Sequence, residues 1–291
     1  MQQHHHRRLQ HPHQQPYPST CDNAPQVSFQ LPSEKRALKI SLVTATFNSA
    51  ATIRDTLRSV NAQTHQDVEH IVVDGGSSDA TMEIVRAEGL RVTTALSEPD
   101  RGIYDAMNKG LRLARGDVIG LINSDDFLAS PDVLSTVAAA FADPDIDAVY
   151  GDLCYVEPVD TTRVVRYWRS SPFRPGLFAR GWAPPHPTLY VRREAYERLG
   201  GFDLAYPLAA DLELMARFLE VHRLRARYLP RVLVRMRTGG ATNRNLRNIV
   251  RQNREIWRAL HVHGLAGSMA GFFLGKLVSR GSQFVSRPPA P

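Results

Sequence analysis

Apolar residues along the chain fall into two alternating spacings. From Leu38 a polar start gives way to LKISLVTATF, a short β-rich run of the length of a buried strand. Behind it Ile53, Leu57 and Val60 recur at spacings of four and three between Ala50 and Ala62, which marks one face of a helix. The alternation repeats, with a strand expected over 69–74, a helix from Asp79, a strand over 91–96, a helix over 103–114 and a strand over 117–123. A helix from near Pro131 and a strand over 147–150 continue it. Strands alternating with helices need crossover connections, and right-handed crossovers give a mostly parallel sheet with helices on both faces. Such sheets bind ligands at the carboxyl ends of their strands, which directs attention to 46–48, 74–79, 98–101 and 123–126.

After Tyr150 the character changes. A hairpin is expected over 155–168, followed by a loop-rich stretch with Pro172, Pro175, Pro184, Pro185 and Pro187. A helix holding Asp211 to Glu220 then leads into the extended run RARYLPRVLVRM and a Gly239-Gly240 turn. These boundaries give a disordered leading tail over 1–37, one α/β domain over 38–262 with halves at 38–150 and 151–262, and a basic amphipathic tail over 263–291.

Composition narrows the class. With 43% hydrophobic and 22% charged residues, the 291-residue chain is neither generally disordered nor a multi-span membrane protein. The formal charge of +7 suits contact with polyanions, whether nucleic acid, anionic lipid or diphosphates. Cys21 and Cys154 form no metal or disulfide pattern, so a reducing, cytoplasmic setting is expected. The start lacks a signal-peptide core. Arg244, Arg247, Arg251, Arg254 and Arg258 recur at spacings of three and four, a cationic helix stripe suited to an anionic membrane surface or to solvent. The following LAGSMAGFFLGKLV is too short to span a bilayer, so peripheral attachment is expected.

Candidate chemistry concentrates at the strand ends. LINSDDF at 121–127 ends a buried strand in Asp125 and Asp126, oxygen ligands suited to Mn²⁺ or Mg²⁺ that leave positions open for substrate phosphate, or else turn and capping residues. VVDGGSSDAT at 72–81 ends a strand in Asp74, which faces the crevice as a hydrogen-bond acceptor for a base or ribose, or simply builds a turn. SEPDRGIYDAMNKGL at 97–111 carries Asp100, Arg101, Asn108 and Lys109, groups that meet phosphate charge or form a surface ion-pair set.

Together with ISLVTATFN, these segments resemble glycosyltransferase family 2, over residues 39 to about 262, and most closely its bacterial members that build polysaccharides and glycolipids. The resemblance implies a GT-A nucleotide-diphosphosugar transferase fold and inverting transfer from a nucleoside-diphosphate sugar, UDP being the expected nucleotide, to a glycan or lipid-linked acceptor. It also implies a divalent metal cofactor. It implies that Thr44, Thr46 and Asn48 line the nucleotide site, that Asp74 recognises the base, and that Asp100, Arg101, Asn108 and Lys109 surround the donor. Asn123, Ser124 and Asp125 occupy the register of the family's Asp-x-Asp motif, with Asn123 in place of its first acid. Asp125, followed by Asp126, is then the expected metal ligand.

The same resemblance makes Asp211, in AADLELM, the expected catalytic base, with Glu213 as its rival. Trp182 and His186 are expected at the acceptor site, and TGGATN at 238–243 is expected to close over the donor. Two other readings are weighed: a sugar nucleotidyltransferase, whose Gly-rich phosphate loop is missing near the first strand, and a basic nucleic-acid-binding protein. The arginine series has only Trp257 as a stacking aromatic, so no nucleic-acid partner is expected.

Overall fold

A computed structural model describes residues 37–239 and 246–285. The leading tail up to Arg36, residues 240–243 of the expected donor loop, and Arg244 of the arginine series lie outside the described residues. The first half follows the expected alternation: β1 (Ile40–Thr46), α1 (Ile53–Asn61), β2 (Val68–Asp74), α2 (Thr81–Glu88), β3 (Val92–Ser97), α3 (Ile103–Leu113) and β4 (Val118–Leu121). A two-residue strand, β5 (Phe127–Leu128), and α4 (Val133–Ala140) follow. The second half contains β6 (Ala148–Val156), β7 (Val164–Trp168), β8 (Tyr190–Arg192), α5 (Arg193–Leu199), α6 (Ala210–Ala216) with a π-helical turn over Arg217–Val221, β9 (Ala226–Arg237), α7 (Leu246–Val262) and α8 (Met269–Val285).

The strands form one sheet in the order β3-β2-β1-β4-β8-β6-β9-β5, with β7 hairpinned onto β6. Neighbours from β3 to β4 are parallel, as crossover helices require, and β9 also runs parallel to β6. β8 pairs antiparallel with both β4 and β6, welding the halves into one sheet. Pro230 sits inside β9 without breaking it. There the register with β6 jumps from Tyr150↔Tyr228 to Asp152↔Val232, a bulge that removes the ladder position needing the missing N–H.

Alternation along β1 divides the core between the two sheet faces. Ile40 and Leu42 pack with Val60 of α1 and with Val133, Leu134 and Val137 of α4. Val43 and Ala45 point the other way, into a cluster with Ala106 and Met107 of α3, Leu214 of α6 and Leu260 of α7. The segment expected to be a separate tail from 263 onward contributes to that same cluster. Phe272 of α8 is 1% exposed and packs within it, so α8 is a layer of the domain.

His70 of β2 is fully buried and hydrogen-bonded through Nε2 to the Thr44 hydroxyl at 2.9 Å, while its Nδ1 has no partner. Burial therefore disfavours the imidazolium and lowers the His70 pKa to about 4 from an ordinary 6.5. As pH falls below 6.5 the unfolded chain takes up a proton that the folded chain resists until about 4, so stability is lost across that interval. At about 1.4 kcal/mol per unit the loss is about 3 kcal/mol. Denaturant titrations should show it in the wild type, and a His70→Gln variant should follow a correspondingly flatter curve between those pH values. Parallel curves for the two proteins would mean that His70 does not carry the effect.

Candidate functional site

Register brings Thr46, Asp74 and Ser97 side by side at the carboxyl ends of β1, β2 and β3. Asp74 is fully buried. Its Oδ2 accepts hydrogen bonds from the Gly76 and Ser77 amides at 3.2 and 2.9 Å and from the Ser97 hydroxyl at 2.6 Å, and its Oδ1 accepts the Ser77 hydroxyl. The carboxylate thus builds the turn after β2, with one acceptor position on Oδ1 left over for a ligand. Gly76 turns the chain there with a φ of 86°, a left-handed conformation that favours glycine, and a Cβ on Gly75 would press on the Asp100 carboxylate. The Thr46 hydroxyl is buried and unpartnered, a polar atom awaiting a donor or acceptor. Thr44, bonded to His70, sits inside the sheet instead. Asn48 adopts a φ of 47° and accepts the Ser78 amide at 2.9 Å, which joins the loop after β1 to the one after β2.

The segment before α3 is a framework of local pairs. Asp100 accepts the Gly102 amide at 2.7 Å. Arg101 stays largely exposed while its guanidinium meets Asp105 at 3.2 Å, and that bond holds the Asp105 carboxyl below its ordinary range. Lys109 is tied to Glu98 and to the Pro99 carbonyl, both at 2.8 Å. Asn108 donates to the Phe202 carbonyl and accepts from its amide, each at 2.8 Å, so its side chain clamps α3 to the second half and has no free edge to offer a donor. Arg101 is the cation of this group that projects into solvent.

At the end of β4 the two adjacent acids have opposite environments. Asp126 is fully buried and accepts from Asn123 Nδ2 at 3.0 Å and from the Arg237 amide at 3.3 Å. Burial and the nearby Asp125 push its pKa well above the carboxylate range. Asp125 is half-buried, and no other described residue donates a hydrogen bond to its carboxylate; burial raises its pKa too. An unpartnered, partly desolvated carboxylate calls for a cation, so the residues fit a divalent metal held by one protein carboxylate and by phosphate oxygens. They do not fit an all-protein cage: among the described residues no three His, Cys, Asp or Glu side chains cluster as metal ligands. Ser124 is nearly buried and shares a hydrogen bond with Ser49 at 2.8 Å.

The element that fixes this turn is Arg237, whose side chain is 7% exposed at the end of β9. Its guanidinium pairs with Asp55 of α1, donates to the Asp125 carbonyl at 2.7 Å and to the Pro158 carbonyl at 3.3 Å, and lies over the Phe127 ring. The sequence signal was present, a strand-ending arginine two residues before a Gly pair, but nothing in the spacing discloses a partner 112 residues away.

On the opposite half Asp211 opens α6. Its Oδ1 accepts the Tyr104 hydroxyl at 3.0 Å, and Oδ2 has no partner among the described residues. Tyr104 stacks on Phe202 at 5.3 Å between ring centroids, and the His186 ring stands perpendicular to Phe202 at 5.5 Å. His186 is buried with Nε2 unpartnered; burial lowers its pKa and the nearby Asp211 opposes the shift. Trp182 is half-buried among Tyr150, Phe173 and Phe178, so its indole is largely a packing surface. Glu213 is tied at 2.9 Å to Arg217 and at 2.8 Å to His263, a closed internal set. The site residues the sequence did not disclose are therefore Arg237, Tyr104 and Ser49.

Comparison with known proteins adds to this geometry. The model of glycosyl transferase family 2 matches residues 41–199. A PGL/p-HBAD biosynthesis glycosyltransferase of Mycobacterium bovis is 32% identical over 201 residues, covering 65% of this chain and 73% of its own. Among solved structures, Staphylococcus aureus TarS 1–349 in complex with UDP superposes with a TM-score of 0.59 at 18% identity, over 77% of this chain and 65% of that fragment. The chain spans 39% of a longer TarS chain. A mannosyltransferase of Pyrobaculum calidifontis, in complex with GDP-Man and Mn²⁺, superposes with a TM-score of 0.54 at 21% identity, over 85% and 81%. The fold is that of the GT-A glycosyltransferases.

The turn at Asp125 depends on Arg237, which gives a direct test. Arg237→Ala leaves the Asp125 and Pro158 carbonyls without their donor and Asp55 without its partner, and should lower unfolding free energy by about 2 kcal/mol. Arg237→Lys, with one donor group in place of a fork, should recover part of that loss. Equal stability of the alanine variant and the wild type in urea would remove Arg237 from this role.

Proposed function

The chain belongs to glycosyltransferase family 2 and is a glycosyltransferase; from that premise we propose that it transfers one sugar from a nucleoside diphosphate, UDP, to a hydroxyl of a lipid-linked or glycan acceptor with inversion of the anomeric carbon. One observation carries the reading. At the end of β4 and at the start of α6, Asp125 takes no donor from another described residue and Oδ2 of Asp211 has no described partner, while their neighbours Asp126 and Glu213 are bound internally. The UDP and Mn²⁺ of the structural relatives support the choice of nucleotide and metal.

In this mechanism Asp74 and Thr46 receive the nucleoside, and Arg101 neutralises part of the phosphate charge. Asp125 would hold a divalent ion, which would supply positive charge to the departing diphosphate. Tyr104 holds Oδ1 of Asp211 by its hydroxyl proton, which turns Oδ2 toward the acceptor. Oδ2 takes the acceptor hydroxyl proton as that oxygen forms its bond to the anomeric carbon, and the bond from that carbon to the diphosphate breaks with its electron pair leaving on the nucleotide. Retention through a covalent intermediate needs a second carboxylate as nucleophile, and Glu213, held by Arg217 and His263, is not available for that role. The Tyr104, Phe202 and His186 rings offer an apolar face and a ring nitrogen to an acceptor sugar.

Two variants separate binding from chemistry. Asp125→Ala should weaken UDP binding on the order of tenfold in Mn²⁺ and hardly at all in EDTA, measured by calorimetry; equal weakening in both would take Asp125 out of the metal site. Asp211→Asn keeps size and helix position but cannot accept a proton near neutral pH, so UDP affinity should persist while transfer falls about 10²-fold or more. Near-normal turnover by that variant would exclude Asp211 as the base.

A further inference from the structure

Helix α8 is amphipathic in the wrong sense for a helix facing water. Its inward side carries Phe272, Lys276, Ser279 and Gln283, at the three- and four-residue spacings of one face. Gln283 is buried, and Lys276 is partly buried and hydrogen-bonded to Asn253 of α7 at 2.5 Å. The outward side carries Phe273, Leu274, Leu277, Val278 and Phe284, of which Leu277 is 70%, Phe284 68% and Leu274 64% exposed. Beside that face a groove of about 600 Å³ runs between α7 and α8, walled by Trp257, Phe273, Met269 and Val262 and edged by Arg254 and Arg258. Contiguous exposed apolar surface of this kind marks a partner or a membrane.

Charge identifies the occupant. Between 246 and 285 the chain carries five arginines and one lysine against Glu255 alone. Arg251, Arg254, Arg258 and Arg280 are all exposed there. A second copy of the chain docked about a two-fold axis through this face would set the cations against themselves, whereas a bilayer surface rich in anionic headgroups complements both the apolar side chains and the surrounding charge. No described helix is long and apolar enough to cross a membrane, so the face lies on the surface and does not span it. We propose that the outward face of α8, with the α7–α8 groove and its arginine rim, docks the protein on an anionic lipid bilayer. The same helix reaches the second half of the fold: a Cβ added at Gly275 would collide with the Arg180 carbonyl, so α8 is seated against the loop leading to Trp182 and His186. A lipid-linked acceptor anchored in that bilayer would meet the protein on the side where Asp211 lies. This last step rests on the proposed acceptor, but the docking surface does not.

The test is flotation of the full chain with vesicles of phosphatidylcholine alone and of phosphatidylcholine mixed with phosphatidylglycerol. The protein should float with the mixed vesicles and much less with the neutral ones. Leu274→Asp with Leu277→Asp should reduce recovery by about tenfold or more at unchanged melting temperature, since both side chains are exposed. Arg251→Gln with Arg254→Gln, which leaves the apolar face intact, should reduce it by several-fold and flatten its salt dependence. Failure of the wild type to float, or equal flotation of the wild type and both variants, would overturn the proposal. So would a dimer in sedimentation velocity that the leucine variant dissolves while no protein floats, since a second copy would then cover the face. None of these readouts uses sugar transfer, so loss of the docking surface is distinguishable from failure of the proposed reaction.

Discussion

A buried guanidinium at the end of a strand organises the mouth of the crevice. Arg237 reaches α1 through Asp55, the end of β4 through the Asp125 carbonyl, and the β6–β7 hairpin through Pro158, while its own amide meets Asp126. Each contact alone is modest, and surface ion pairs are worth little. This one is different because the arginine is desolvated and its forked donors reach two carbonyls and a carboxylate from three elements at once. Arg237 fixes the backbone of Asp125 from one side, and no other described residue donates to its carboxylate. The turn is held through its backbone, and the acid at its tip stays open.

The same logic separates open acids from framework acids. Asp126, Asp105 and Glu213 sit beside residues that look equally suited to chemistry, yet each is closed by a local donor: Asn123 and Arg237, Arg101, or Arg217 and His263. Asp74 is an intermediate case, since three donors on one oxygen shape the turn and leave the other oxygen half-engaged. A carboxylate with saturated acceptors stabilises structure and resists recruitment by a ligand. The ones left open are those that retain acceptor positions a ligand could use.

The parallel half of the fold was legible in the sequence because its elements obey period rules: LKISLVTATF is β1, the Ile53-Leu57-Val60 spacing is α1, and the strand ends carry the motifs. Boundaries differ by a few residues, as at β4, which ends at Leu121 instead of 123 because the chain turns at Asn123 to form the Asp126 network. The second half was less legible. β5 and β8 have two and three residues, too few for any periodicity, and owe their existence to pairing with β9 and with β4 and β6. Thr44 and Asn108 show the limit for the site. Strand and helix positions were right, but whether a side chain faces the crevice or a buried neighbour such as His70 or Phe202 depends on partners 26 and 94 residues away.

Helix α8 shows why a local pattern can mislead about domain limits. Read alone, 263–291 is a short basic amphipathic stretch, so it resembles an appendage. In place, Lys276 faces inward and meets Asn253, and burial together with Arg280 pushes the ammonium down to about 8, with Asp211 acting against that shift. A partly buried lysine held near the crevice by a helix whose outer face is apolar couples two surfaces through one rigid element. Anything that seats the outer face also fixes Lys276 relative to Asp211, because a helix with Phe272 locked in the core cannot turn about its axis without breaking that packing. The field at Asp211 therefore depends on an element that lies beyond the stretch matched by the family model, which ends at residue 199.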